Sequence, residues 1–211
     1  MVSEKLFYNA VNIVVQTQYK ELKKLIEKNG SWEKSWEEIR NAKKSELDPE
    51  KEYAKLEAAG VELILHEESV YPKLLKETHF PPFGLYIKGR LPSSEHSVAI
   101  VGTRKATAEG KESAREFGRE LAEAGCMIIS GLALGIDAMG HKGALDGKGV
   151  TVAVLANGLD HIYPATNASL AEEIVRQNGA LISEYPLGSP SLPYRFLERN
   201  RIVSGLSKGV L

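Results

Sequence analysis

The sequence predicts a doubly wound, mostly parallel α/β sheet preceded by a small all-α unit. Two observations carry that reading. From Ser97 onward, short and nearly continuous apolar runs (SVAIVG, CMIIS, TVAVLA, ALISE) alternate with helical segments, the pattern of parallel strands covered on both faces. Before Gly60 the apolar residues recur instead at helical spacing within a highly charged stretch. Right-handed crossovers between strands of this kind build a Rossmann-like sheet. The expected division is a helical domain over residues 1–60 and a Rossmann-like domain over residues 61–211.

In QYKELKKLIEKNG, Leu22, Leu25 and Ile26 share one helix face, and Asn29-Gly30 ends the helix because glycine tolerates the left-handed cap. Ser31 caps the next helix, SWEKSWEEIR, with Trp32, Trp36 and Ile39 as its apolar stripe. Asp48-Pro49 opens a third, which runs to about Ala59 and stops at Gly60. The charges on these helices read as a solvated face. VELIL is a strand, and SVYPKLLKETHFPPFGLYIKG is a proline-punctuated connector ending in a strand from Gly84 to Lys88. Arg90 to His96 is a polar link. Helices are then expected over about Thr107–Ala124, Leu134–Leu145, Ala168–Gln177 and Phe196–Gly205. GVL at 209–211 begins a further strand, which reads as a domain incomplete at its carboxyl end.

Composition bounds the function. Of 211 residues, 43% are hydrophobic and 26% charged, and 27 Lys and Arg nearly balance 28 Asp and Glu. Bulk charge therefore does not announce a nucleic-acid binder, and any anion-binding surface must come from local placement. The single cysteine, Cys126, excludes an internal disulfide and fits a reducing cytosol; it reads as a small hydrophobe buried in the CMIIS strand. No apolar run approaches the roughly 20 residues that cross a membrane, and the acidic start around Glu4 is not a signal peptide.

Ligands of open parallel sheets bind at the carboxyl ends of the strands. There the chain places Gly102-Thr103-Arg104, then Ser130, Gly131 and Gly135, then Asn157-Gly158, and Tyr185. Gly102, Thr103 and Arg104 suit an anion: exposed amides, a hydroxyl and a guanidinium. In SGLALGIDAMGHKGAL, Gly131 and Gly135 lie at the strand end and are assigned to the ligand, whereas Gly140 and Gly143 lie further along and serve helix-on-sheet packing. From Ser189 onward, Arg195, Arg199, Arg201 and Lys208 face only Glu198. Helical spacing puts Arg195 and Arg199 on one face with Arg201 turned away, Glu198 available to pair with one of them, and Asn200 beside them. Tyr163, Tyr194 and Phe196 are candidate stacking rings. Enzymatic signals are weak. Asp137 and His141 stand at i, i+4 without a third metal ligand, so His141 reads as a surface or packing residue whose charge complements Asp137. Ser130 lacks a nucleophile-elbow context, and Glu184 reads as a turn cap more readily than as a base. Neither a GxGxxG fingerprint nor a phosphate-loop GK[ST] occurs.

The runs VAIVGTRKAT, SGLALGIDAMGHKGAL, LANGLDHIYPATN, ISEYPLGSP and RFLERNRIVSGLSKGV, in that order over about Ser97 to Leu211, resemble the DprA/Smf family of DNA-processing proteins. The resemblance implies an N-terminal domain related to sterile-alpha-motif or helix-hairpin-helix folds, although NIVVQTQYKELKKL stands where a PGIG-like hairpin is expected. It implies a cytoplasmic, non-enzymatic protein without a cofactor that binds single-stranded DNA in natural transformation and recombination. Such a protein protects incoming DNA, helps load the RecA recombinase, and acts as a homodimer when full length. Carried over position by position, the basic groove selects Gly102, Thr103, Arg104, Ser130, Gly131, Gly135, Asn167, Arg199, Asn200 and Arg201. The alternative is a nucleotide-binding enzyme or sensor similar to phosphoribohydrolases, whose PGGxGTxxE signature is not found here.

Overall fold

The computed structural model describes residues 2–92 and 96–211; part of the polar link expected between Arg90 and His96 lies outside the described residues. Four helices come first: α1 (Val2–Val15), α2 (Tyr19–Asn29), α3 (Trp32–Lys43) and α4 (Pro49–Ala58). Their boundaries are local chemistry. Gly30 sits at φ +74° and donates its N–H to the Ile26 carbonyl, Ser31 Oγ accepts from the Lys34 amide, and Asp48 accepts from the amides of Glu50 and Lys51.

The remainder runs β1 (Val61–Leu65), a one-turn helix α5 (Lys73–Lys76), β2 (Gly84–Gly89), β3 (Ser97–Ala99), α6 (Ala108–Glu123), β4 (Met127–Ser130), α7 (Ile136–Asp146), β5 (Thr151–Val154), α8 (Ala168–Arg176), β6 (Ala180–Ser183), α9 (Pro193–Gly205) and β7 (Gly209–Val210). One seven-stranded sheet results, ordered β1-β2-β6-β5-β4-β3-β7. The strands from β6 to β7 are parallel, as the apolar runs predict; β1 and β2 add an antiparallel hairpin beside β6. Winding reverses between β3 and β7, which makes their carboxyl ends the topological switch point.

Alternate strand residues serve opposite faces. Ile129, Val152, Val154 and Ile182 pack with Leu75 of α5, Ile202 and Val203 of α9, and Leu206 at the end of α9. Ile128 packs with Ala122 of α6 and Ala144 of α7, while Ala153, Leu155 and Leu181 join Leu170, Ala171 and Ile174 of α8. That last cluster continues into Tyr8, Trp32 and Trp36 of the N-terminal helices. Between α1 and the sheet, Asn12 Nδ2 donates to Tyr86 Oη at 3.2 Å and to the Glu184 carbonyl at 3.1 Å, and Tyr86 Oη donates to Asn9 Oδ1 at 2.9 Å.

Two expected starts move. α7 begins at Ile136 rather than Leu134, because Leu132 and Gly135 both take positive φ and keep the chain out of the helix. α9 begins at Pro193 rather than Phe196, with proline in the first turn where its missing N–H costs nothing. Cys126 lies one residue ahead of β4 and is half-buried, not a buried strand residue, since Gly125 at φ +83° turns the chain into the strand only at Met127.

Candidate functional site

At the switch point a cleft of about 460 Å³ opens between the β3–α6 loop, the first turn of α7 and the outer face of α9. Val101, Gly102 and Arg104 line one side, Ala133 and Asp137 the floor, and Phe196, Leu197, Asn200, Arg201 and Ser204 the other side, with Val210 of β7 at the end. Of the expected site residues, Gly102, Arg104, Arg199, Asn200 and Arg201 line this cleft, Thr103, Gly131 and Gly135 lie in the loops beside it, and Ser130 and Asn167 lie behind those loops; they divide into two kinds.

The first kind builds the cleft from within. Ser130 Oγ donates to the Ile100 carbonyl at 2.5 Å, and Asn167 Nδ2 donates to the Leu132 carbonyl at 2.9 Å; both residues are buried. The α7 start, expected to offer amides to a phosphate, is already occupied. Asp137 Oδ2 accepts from the Gly131 amide at 3.1 Å and the Ala133 amide at 3.4 Å, and the Thr103 carbonyl accepts from the Ile136 amide at 3.3 Å. Gly131 is glycine because the Arg199 guanidinium fills the space a Cβ would take, and Gly135 because the Thr103 carbonyl crosses over it, at φ +81°. Chain packing by itself thus requires glycine at both positions. The close neighbour of Gly143 is the Arg115 backbone of α6, a helix-on-helix approach rather than the expected helix-on-sheet one, while Gly140 does face Ile100 of the sheet edge.

The arginine cluster also resolves differently. Arg199 is 4% exposed and donates to the carbonyls of Gly131, at 2.8 Å, and Val154. Burial lowers the basicity of its guanidinium, and the Asp137 carboxylate opposes that. Arg195, 3% exposed, donates to the Pro190 carbonyl and lies 4.5 Å over the Tyr185 ring. These two share a face, as expected, but it is the inner one. Glu198 pairs with neither; it accepts from Tyr185 Oη at 3.0 Å. Arg201 turns the other way, as helical spacing predicts, onto Glu184 Oε2 and, at 2.7 Å, the Phe80 carbonyl. Glu184 is thus an ion-pair partner rather than a turn cap. His141 carries no charge to complement Asp137. It is fully buried, its Nδ1 lies 2.6 Å from Thr151 Oγ1, and burial pulls its pKa down to about 3. Among the described residues no three His, Cys, Asp or Glu side chains gather as metal ligands.

The second kind stays open to solvent. Gly102, Thr103, Arg104, Lys105 and Asn200 are exposed. Arg104 Cζ stands 5.0 Å over the Phe196 ring, and the Tyr163 ring, 46% exposed, lies 5.6 Å from it, tilted by 54°. Arg104 and Phe196 line the cleft with Tyr163 next to Phe196, and Thr103 Oγ1 accepts from the Lys105 amide at 3.1 Å and shapes the loop. Tyr194 is exposed as well, beside Arg195. Sequence reasoning missed Asp137 as the group that ties down the β4–α7 loop; an acid in the first turn of a helix that follows a glycine-rich strand end was the available signal.

Comparisons fit this geometry. A family model described as DNA recombination-mediator protein A matches residues 62–211. Protein Smf of Escherichia coli (strain K12) is 45% identical over 157 residues, covering 74% of this chain and 42% of that protein. DNA processing protein DprA of Bacillus subtilis (strain 168) is 40% identical over 154 residues, covering 72% and 52%. The chain thus spans about half the length of the curated relatives it matches. The X-ray structure of DNA processing protein A from Streptococcus pneumoniae superposes with a TM-score of 0.68 at 31% identity, over 85% of this chain and 59% of that one. DNA processing protein A from Helicobacter pylori, whose structure is described for its single-stranded DNA binding mode, gives 0.63 at 35% identity, over 71% and 67%. With a family match over most of its length and the same sheet, the chain belongs to the DNA recombination-mediator protein A, or DprA/Smf, family.

Proposed function

We propose that this chain binds single-stranded DNA along the carboxyl edge of its sheet, with phosphates at Arg104, Lys105 and the amides of the β3–α6 loop and bases against Phe196 and Tyr163. The observation that carries this reading is that the exposed Arg104 stands 5.0 Å over the half-buried Phe196 ring, with the exposed Tyr163 ring 5.6 Å from the same ring. Sequence-tolerant binding of a flexible strand needs that pairing of cation and ring, and its rigid setting supplies it without bulk positive charge. Asn200 adds a side-chain amide on the same rim, and Ser130, Gly131, Gly135, Asn167 and Arg199 act from below by fixing the loops. Arg201 contributes to the field while paired with Glu184. The similarity to the Helicobacter pylori protein supports the ligand. Binding without turnover, cytoplasmic action, transfer of the strand to RecA and dimerisation of the full-length protein are part of the same proposal, on family membership.

The test is a gel shift of R104A/K105A against wild type with an oligothymidylate at several salt concentrations. Loss of two phosphate contacts is expected to lower the slope of log K against log salt by about 1.4 and to weaken binding roughly tenfold or more. Unchanged affinity and slope would refute the site. The cleft volume of about 460 Å³ also suits a mononucleotide. Displacement of the strand by a nucleoside monophosphate with release of its base would favour the enzymatic alternative.

A further inference from the structure

The rim of the cleft does not end at Arg201. Its Nη1 donates to the Phe80 carbonyl, which pins the 79–83 segment, with Pro81 and Pro82 inside it, against α9. Phe80 itself is 49% exposed and stands outside the apolar clusters of the core. It is not loose: His79 meets it edge-on at 4.3 Å and Tyr19 of α2 at 5.4 Å, and Tyr19 in turn stacks on Phe83 at 5.1 Å. Beside these rings a small groove of about 170 Å³ is lined by Tyr19, Lys23, Glu27, His66, Pro81 and Phe83. That is below the roughly 300–1,000 Å³ of compact small-molecule sites, and fits one or two flat rings entering from solvent.

We infer that the DNA path continues from Arg201 across Phe80 onto α2, where His79, Phe80 and Tyr19 form a second stacking platform for bases. The inference rests on the strand-binding reading above. Rings held edge-to-face at an exposed position lose little freedom when a base stacks on them, and every base offers a face to stack. Cations for the phosphates lie on the far side, Lys20 and Lys23 on α2 with Lys76 of α5, all three exposed, while Arg201, held by Glu184 and the Phe80 carbonyl, links the two places. Lys23 pairs with Glu27 at 3.7 Å, a solvent-exposed i, i+4 contact that contributes little and is readily exchanged for phosphate. Continuity with the first site through the Arg201–Phe80 contact, together with these cations, selects a nucleic-acid strand over an apolar peptide.

The experiment measures anisotropy of labelled oligothymidylates of about 6 and about 20 nucleotides with wild type, R104A, H79A/F80A and F80W. The short strand fills only the cleft; the long one reaches both places. H79A/F80A is expected to weaken the long strand about tenfold and to leave the short one within about twofold, and F80W to bind the long strand as wild type does. R104A is expected to weaken both lengths. H79A/F80A that leaves both lengths unchanged, or weakens both equally, overturns the second platform whatever R104A does. R104A without effect sinks the cleft reading alone, and the platform is then judged by the long strand.

Discussion

Glu184 has one carboxylate oxygen on Arg201 and the other buried without a hydrogen-bond partner. Burial pushes its pKa up to about 7 from an ordinary 4.5, against the opposing pull of the Arg201 guanidinium. The unfolded carboxyl therefore ionises first as pH rises, and folding loses stability between 4.5 and about 7. The loss is on the order of 3 kcal/mol. His141 works in the other direction. With a pKa pulled from 6.5 to about 3, it contributes stability that is present above 6.5 and lost as pH falls. E184Q removes one side of this opposition. Its urea-unfolding free energy, relative to wild type, is expected to grow as pH rises through that window and then level off. A difference that stays constant from acid to neutral pH would show that the carboxyl is not perturbed. Neither residue announces such a role in sequence, because burial comes from distant segments.

At the scale of elements, α6 packs on α7, and glycines on both helices set the distance. A methyl group at Gly143 would meet the Arg115 carbonyl, and one at Gly118 would meet the Gly140 carbonyl at 2.5 Å. In G143A the gain in helix propensity, about 1 kcal/mol, opposes an overpacking cost of about 1–3 kcal/mol. A net fall in thermal midpoint of a few degrees is expected in a calorimetric scan; a rise would mean that the helices do not touch there. The helices and strands themselves were readable, because hydrophobic period and caps such as Ser31 and Asp48 act over three or four consecutive residues. The start of α7 was not readable. It depends on the β3–α6 loop crossing over Gly135, a contact between segments about thirty residues apart in sequence.

Over the whole molecule, one apolar cluster runs from Trp36 on α3 through Tyr86 to Leu155 and Leu181 of the sheet. Both tryptophans, Trp32 and Trp36, lie on α3, so their fluorescence reports the helical region while far-UV circular dichroism reports every helix and strand. We expect the two denaturation curves to coincide; separate midpoints would mean that the helices unfold as an independent unit. The alternation of apolar strands with amphipathic helices specified the parallel sheet and its carboxyl edge, and through its motifs the family, since such patterns are written in neighbouring residues. The antiparallel insertion of β2 beside β6, the burial of Arg199 against Gly131 and the capture of Arg201 by Glu184 came only with the folded chain. A polar side chain takes the partner that topology brings within about 3 Å, and that partner lay in another segment of the chain each time.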